Sequence, residues 1–334
     1  MTKKSDWTIA IENVGEVERL KYELKVANQK LSVYEQAGDT TIHEIPSYKP
    51  LHGEAIAVAV LSDVHAGERV DPEDVPGTYN IYTPAICRKR LEQFAQRVVM
   101  LTEANRSFIK ITDLCLNLAG DLMTGHLHDD QKESNWLSPL KEWLFVRNEI
   151  NSVIKYILDN GKFERIIIPC CFGNHGRMTI KPRAKTAPDT NLEWMLYHIL
   201  ESDWRNESRI KFHIAHGSQL YLDLYGFACR FMHGDDVTYR GGVGGLAVPL
   251  GQAIKDWDKV KAASYTFMGH HHTARDFGNV IVNGSVIGYN AYALKNHFPF
   301  EKPRQQYVLI DRDNGISSVQ SIRCHYTPRK QKDD

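Results

Sequence analysis

Five apolar runs of this chain each end in polar groups able to grip a cation. LSDVH supplies Asp63 and His65, LAGD supplies Asp121, and FGNH supplies Asn174 and His175. FMHGDD supplies His233, and FMGHHH supplies His270, His271 and His272. A mixture of imidazole, carboxylate and amide donors suits Mn, Fe or Zn, whereas an all-oxygen set suits Mg or Ca. Spacing adds to residue type. On an extended segment, residues i and i+2 face the same way. Asp63 and His65 could then share one ion, as could His270 and His272, with His271 turned away. Each fragment alone is weak, because a lone histidine is more often a hydrogen-bonded structural residue than a ligand. The ordered set of D-x-H, GD, GNH, H and GH-x-H, each after an apolar run, is hard to obtain by chance. Glycines at 120, 173 and 269 suit close backbone approach beside a packed site.

Such a set needs elements that carry distant segments to one rim. EAIAVAVLSDVH (54–65), DLCLNLAGD (113–121) and RIIIPCCFGNH (165–175) read as buried central strands. Helices are expected between them. Over 83–106, Ile86, Leu91, Phe94, Val98 and Leu101 fall on one face, with Pro84 near the start. A second helix spans 138–162 and stops at Asn160-Gly161. A third spans 189–204, with Asp189 or Thr190 as its cap. The second half reads as short strands interrupted by one helix near 245–258. Mixed strands and helices predict a layered α/β domain over 49–334, and ligands of such sheets sit beyond the carboxyl ends of strands.

Upstream, residues 13–37 place Val17, Leu20, Leu24, Ala27, Leu31 and Tyr34 at spacings of three and four. That is a short heptad seam, either an arm for a homodimer or a helix docked on its own domain. IPSYKP (45–50) reads as a linker, so 1–48 forms a separate helical arm.

Bulk properties narrow the function classes. The 334 residues are 42% hydrophobic and 25% charged, with 41 Lys+Arg against 41 Asp+Glu. Zero net charge argues against coating nucleic acid by charge alone, though a local basic groove is still allowed. Neither a signal peptide nor a membrane span is legible, which predicts a cytoplasmic protein without a membrane partner. Six scattered cysteines without CxxC spacing predict reduced thiols.

The motif set resembles the calcineurin-like metallophosphoesterases across about residues 55–285. The resemblance implies a four-layer α/β/β/α sandwich holding two divalent metal ions. Asp63, His65, Asp121 and His272 would hold one ion; Asp121, Asn174, His233 and His270 would hold the other, with Asp121 bridging. His175 would face the substrate phosphate. GNHGR, HGDDVTYRGG and VNGSVIGYNAYA further resemble phosphoesterases carried by bacteriophages, which would place the protein in host cytoplasm. Two features depart from the family pattern. Gly176 stands where many members have Asp or Glu, so an acid that would orient His175 is missing locally. GDLMTGH also lacks the histidine spacing that marks certain DNA nucleases of the family, with His126 lying further along.

The implied chemistry is attack on phosphorus by a metal-activated hydroxide, with His175 stabilising or protonating the leaving oxygen. Arg177 is either a bidentate phosphate contact or a surface arginine. Mn is the expected metal, with Fe or Zn as alternatives. Arg177, Lys181, Arg183 and Lys185 form a basic run that could track a phosphate backbone, and RGGVGG (240–245) could be a phosphate-contacting loop. These features lean toward a phosphodiesterase acting on DNA. The alternatives are a phosphomonoesterase or small-nucleotide phosphodiesterase, and a metal-stabilised scaffold that binds a partner through the N-terminal helix.

Overall fold

The computed structural model describes residues 6–38, 53–127, 129–238 and 244–326. The IPSYKP linker and most of RGGVGG lie outside the described residues. The chain divides into two compact units, Met1–Lys49 and Pro50–Asp334. Within the first, α1 spans Asp6–Gly38 and leaves Val17, Leu20, Leu24 and Leu31 exposed. The Tyr34 side chain lies outside the described ones.

The second unit is built outward from β1 (Glu54–Leu61), buried from Ala55 onward. Its two faces meet two different cores. Ala55, Ala57, Ala59 and Leu61 pack toward helices, while Ile56, Val58 and Val60 pack toward a second sheet. Burial on both faces is why this strand reads as a continuous apolar run. Next come α2 (Pro84–Arg106), β2 (Lys110–Leu118), α3 (Asp129–Ser134), α4 (Pro139–Asn160) and β3 (Arg165–Cys170). Then follow α5 (Leu192–Asp203) and β4 (Ile210–Ile214). The second sheet is formed by β5 (Gln219–Leu224), β6 (Phe227–Met232), β7 (Tyr265–Met268), β8 (Arg275–Asp276) and β9 (Val280–Val282); α6 (Ala247–Asp258) lies between β6 and β7 in sequence. The chain ends its regular structure with α7 (Ala291–Lys295), β10 (Arg304–Asp311) and β11 (Gly315–Arg323).

The first sheet runs β11-β10-β1-β2-β3-β4 and the second runs β5-β6-β7-β9-β8. Register brings the relevant ends level. Leu61 pairs with Leu118, and Leu118 with Cys170, along parallel strands. In the second sheet Phe231 pairs with Phe267, and Met268 with Val282, also in parallel. Outside these sheets, Leu91 and Phe94 of α2, Ile150 and Ile154 of α4, and Leu196 of α5 cover the first. Leu250 of α6 covers Met232, Met268, Val280 and Val282 of the second. Between the sheets Phe231 stacks on Phe267 with centroids 5.3 Å apart. The result is a four-layer α/β/β/α sandwich with an N-terminal helix.

Two local expectations need correction. The third helix begins at Leu192, not 189: Pro188–Thr190 form a 3₁₀ turn, and Asn191 caps α5 by accepting from the Glu193 N–H. The short helices α3 and α7 were not anticipated, because DDQKES and AYALK are too short to show a helical apolar stripe. All six cysteines are free and buried. No helix among the described residues is long and apolar enough to cross a membrane.

Candidate metal centre

Every candidate ligand follows the carboxyl end of a strand. Asp63 and His65 follow β1, Asp121 follows β2, and Asn174 and His175 follow β3. His233 follows β6, and His270 and His272 follow β7. The local geometry differs from the extended D-x-H arrangement expected above. Asp63, His65, Asp121, His270 and His272 all have left-handed backbone, with φ between 47° and 68°. They are five of the nine non-glycine residues with positive φ among those described. Asp63 and His65 therefore converge because the chain curls tightly past the strand, not because it stays pleated. His271 is likewise not turned away: it lines the same cleft as its neighbours. Such conformations persist only where the surroundings over-determine them.

Close packing supplies part of that determination. A Cβ on Gly173 would sit 2.1 Å from Asp121 Oδ1, and one on Gly269 would sit 2.6 Å from Asp63 Oδ2. Glycine at these positions lets one loop's backbone lie against the next loop's carboxylate.

The candidate ligands form two groups. Asp63, His65 and His272 offer donor atoms within 4.8 Å of one another, as do Asp121, His233 and His270. In the first group His65 Nε2 lies 3.1 Å from His272 Nε2, which lies 3.4 Å from Asp63 Oδ1. In the second, His233 Nε2 lies 3.0 Å from Asp121 Oδ2, 3.1 Å from Asn174 Oδ1 and 3.3 Å from His270 Nδ1. Convergence of imidazole nitrogens with a carboxylate, and in one group an amide oxygen, fits a borderline divalent cation in each group. Burial holds His65 well below its ordinary range, and His175 and His272 add to the shift. Burial and His233 bring His270 to about 4, so both rings keep neutral, metal-binding nitrogens. For His233 and His272 burial opposes protonation, but the Asp121 and Asp63 carboxylates outweigh it and raise them. Burial likewise works against ionisation of Asp63 and Asp121, yet His272 and His233 respectively hold them low.

His175 sits beside both groups. Its ring meets the His65 ring edge-on at 4.6 Å, and its Nε2 lies 4.0 Å from Asp121 Oδ2. Its Nδ1 is 2.7 Å from the Thr124 carbonyl and 3.0 Å from Gln131 Nε2. Both contacts hold Nδ1 in place, the carbonyl as an acceptor and the amide nitrogen as a donor, and leave Nε2 directed to the cleft. Thr124 thus orients the ring that Gly176 leaves without a neighbouring acid. A side chain at Gly176 would meet Asn191 Oδ1 at 2.6 Å and Glu193 Cγ at 2.9 Å. Arg177 lines the cleft and donates from Nη1 to the Asn174 carbonyl at 2.6 Å. Lys181, Arg183 and Lys185 are exposed and do not line the cleft. His126 turns to Glu142, 3.3 Å away.

Sequence reading missed the groups that brace this floor. Glu193 is fully buried and accepts from the N–H groups of Asp121, Met123 and Gly173. Glu142, also fully buried, accepts from Gly67 and Thr124 N–H. Ser62 donates to Asp63 Oδ2, while Asn283 donates to Ser62 Oγ and to Gln305 Oε1. A signal existed for the two acids. Glu193 shares its helical face with Leu196, Tyr197 and Leu200, and Glu142 shares one with Val146, Glu149 and Ile150. A carboxylate on an apolar stripe is buried, and a buried carboxylate needs partners.

The floor opens into a cleft of 1120 Å³. One wall is the 290–298 segment, also unanticipated, which contributes Tyr292, Lys295 and Phe298. Asn290 anchors that segment by donating to Glu68 at 2.7 Å.

No family model matches the chain, and no curated protein sequence does. Solved structures do show likeness. A hypothetical protein from Pyrococcus horikoshii is 12% identical, covering 81% of this chain and 89% of that one, with a TM-score of 0.41. Wild-type Vps29 complexed with zinc from Entamoeba histolytica is 10% identical, covering 79% and 96%, with a TM-score of 0.28. The sulfate thiohydrolase SoxB from Thermus thermophilus is 12% identical, covering 84% and 57%, with a TM-score of 0.28.

Proposed function

We propose that this chain is a dinuclear metal-dependent phosphoesterase of the calcineurin-like kind. The observation that carries the reading is the pair of ligand groups, Asp63/His65/His272 and Asp121/His233/His270, brought together at the floor of one cleft with His175 beside them. Two divalent cations, Mn by preference, would supply Lewis-acid polarisation of a phosphoryl oxygen and a more acidic water. The chain's own residues do the rest. Asp121 Oδ2 lies 3.0 Å from His233 Nε2 and 4.0 Å from His175 Nε2, so this carboxylate would hold a cation beside the ring that faces the substrate. His175, held through Nδ1 by Thr124, presents Nε2 to the leaving oxygen, to which it would give a proton from the ring form that is protonated on both nitrogens. Arg177 braces the Asn174 peptide and lends positive charge to the cleft.

The finer reading is a phosphodiesterase acting on nucleic acid in the cytoplasm, the host's if the gene is a bacteriophage's. Its support is Arg177 in the cleft and the exposed Lys181, Arg183 and Lys185 that follow it in sequence. The Mn²⁺-loaded protein should hydrolyse bis-p-nitrophenyl phosphate and cleave single- or double-stranded DNA, and chelation should stop both. Turnover of p-nitrophenyl phosphate with intact DNA would make it a phosphomonoesterase. Bound metal with no turnover of any ester would make it a scaffold.

A further inference from the structure

We propose that Tyr292, Phe298 and Lys295 form a subsite for the organic part of the substrate, specifically a flat aromatic ring of nucleobase size. The proposal rests on the phosphoesterase reading of the cleft floor. A phosphate bound at the metal ligands fills little of 1120 Å³, so the substrate carries a further group. The 290–298 wall has the chemistry to meet it. Phe298 sets its ring against His272 with centroids 6.1 Å apart, and Tyr292 meets Phe298 edge-on at 5.8 Å. Aromatic side chains thus run outward from a metal ligand. Tyr292 ends that run 59% exposed, with its ring open inside a concave site. An exposed aromatic face there is a stacking surface, and every base has a face to offer it. Lys295 stands one helical turn from Tyr292 and lines the same cleft, where it can meet a phosphate oxygen. Asn290, which caps α7 and reaches Glu68, ties this arm to the loop that carries His65.

The test compares methyl and aryl or nucleoside esters of the same phosphodiester on the metal-loaded full chain. Tyr292→Ala should raise KM for the nucleoside ester about tenfold and leave kcat near wild type. It should leave KM for the methyl ester unchanged, and Tyr292→Phe should restore the nucleoside ester. Equal loss on both esters, or no change on either, overturns the subsite while the phosphoesterase reading stands. Wild type inert toward both esters overturns that reading and the subsite with it.

A separate observation concerns α1. We infer that its exposed seam pairs with a second copy of this chain as a parallel, in-register coiled coil. Val17, Leu20, Leu24 and Leu31 are 48–62% exposed on one helix of 33 residues. With 17, 24 and 31 at heptad position a and 20, 27 and 34 at d, position g falls on Glu16, Glu23 and Lys30. Position e falls on Lys21, Asn28 and Glu35. Parallel pairing sets each g position against the following e of the partner copy: Glu16 against Lys21, Glu23 against Asn28, Lys30 against Glu35. Two of these pairs attract and none repels, and such pairs set partner and orientation. Within one copy Lys21 pairs with Glu18, but both are about two-thirds exposed and can exchange partners.

Sedimentation of the full chain should show a dimer. Leu24→Glu should give a monomer with phosphoesterase activity unchanged. Glu16→Lys should weaken the dimer a few-fold, and adding Lys21→Glu should restore it. Val17→Cys should cross-link the two copies under oxidation, since only a parallel register brings those positions together. A monomeric wild type, or a dimer that survives Leu24→Glu, overturns the coil; a dimer that Val17→Cys fails to cross-link overturns its direction.

Discussion

The floor of the cleft and its 290–298 wall are built on opposite principles. The floor is buried at Asp63, His65, Asp121 and His233 and half-buried at His270 and His272, and it sits on left-handed backbone at Asp63, His65, Asp121, His270 and His272. Buried carboxylates from α4 and α5 hold its loops by their N–H groups. The wall is a short helix with exposed Tyr292 and Lys295, anchored to the His65 loop through Asn290. Residues that hold a strained geometry tolerate little change, because each contact helps fix the others. Exposed residues on a short anchored segment can vary without disturbing the ligands. The floor should therefore govern whether ions bind and turnover occurs, and the wall should govern which ester is preferred.

The largest effect should come from the floor's centre. If the proposed centre is right, Asp121→Ala should lose bound metal by elemental analysis and reduce turnover at least about 10³-fold, since divalent cations there would supply several kcal/mol of charge stabilisation. A variant that keeps both ions and most activity would break the comparison at its strongest point. His175→Ala should keep both ions yet lose about 10²–10⁴-fold in turnover, the usual worth of a positioned proton donor. If metal content fell with activity, His175 would belong among the ligands.

Glu193→Gln sharpens the comparison further, because this residue touches only backbone near the site. Metal affinity should fall about 10–100-fold, as when an outer hydrogen-bond partner of a ligand is altered. A pH effect accompanies it. Burial, with Asp121 adding to it, raises the Glu193 carboxyl to about 7. In the unfolded chain it titrates near an ordinary value of about 4.3. Between these values the folded, metal-free protein holds a proton that the unfolded chain has released. Stability therefore falls as pH rises through the window. The glutamine variant lacks this titration, so its Tm relative to wild type should improve from about pH 5 to about pH 7. A constant difference in Tm would show that Glu193 does not titrate there. The smallest effect should come from the wall: Lys295→Ala should change KM no more than about fivefold, with metal content unaltered, as for a solvated charge.

Several features of the fold and site were legible in advance for a common reason. The apolar runs of β1, β2 and β3 and the stripes of α2 and α4 are periodic, and period reports local geometry directly. The donors that follow those runs were legible as well, because strand ends of a parallel sheet share one edge. The extended D-x-H expectation fails because β1 ends at Leu61 and the chain leaves the pleat before Asp63. The expected cap at Asp189 or Thr190 gives way to Asn191 because all three are competent caps and Asn191 also donates to the Gly173 carbonyl. The wall at 290–298 gave no periodic signal, since five helical residues are fewer than two turns.

Residue order alone determined the donors, their succession along the chain and the alternation that carries them to one rim. These follow from side-chain chemistry and from backbone periods only a few residues long. Tertiary structure decided that five candidate ligands curl into left-handed backbone, that Thr124 orients His175, and that Glu193 reaches Asp121 across 72 positions of sequence. A buried carboxylate must find N–H partners, but which ones it finds depends on how whole helices and sheets pack, and no local pattern encodes that.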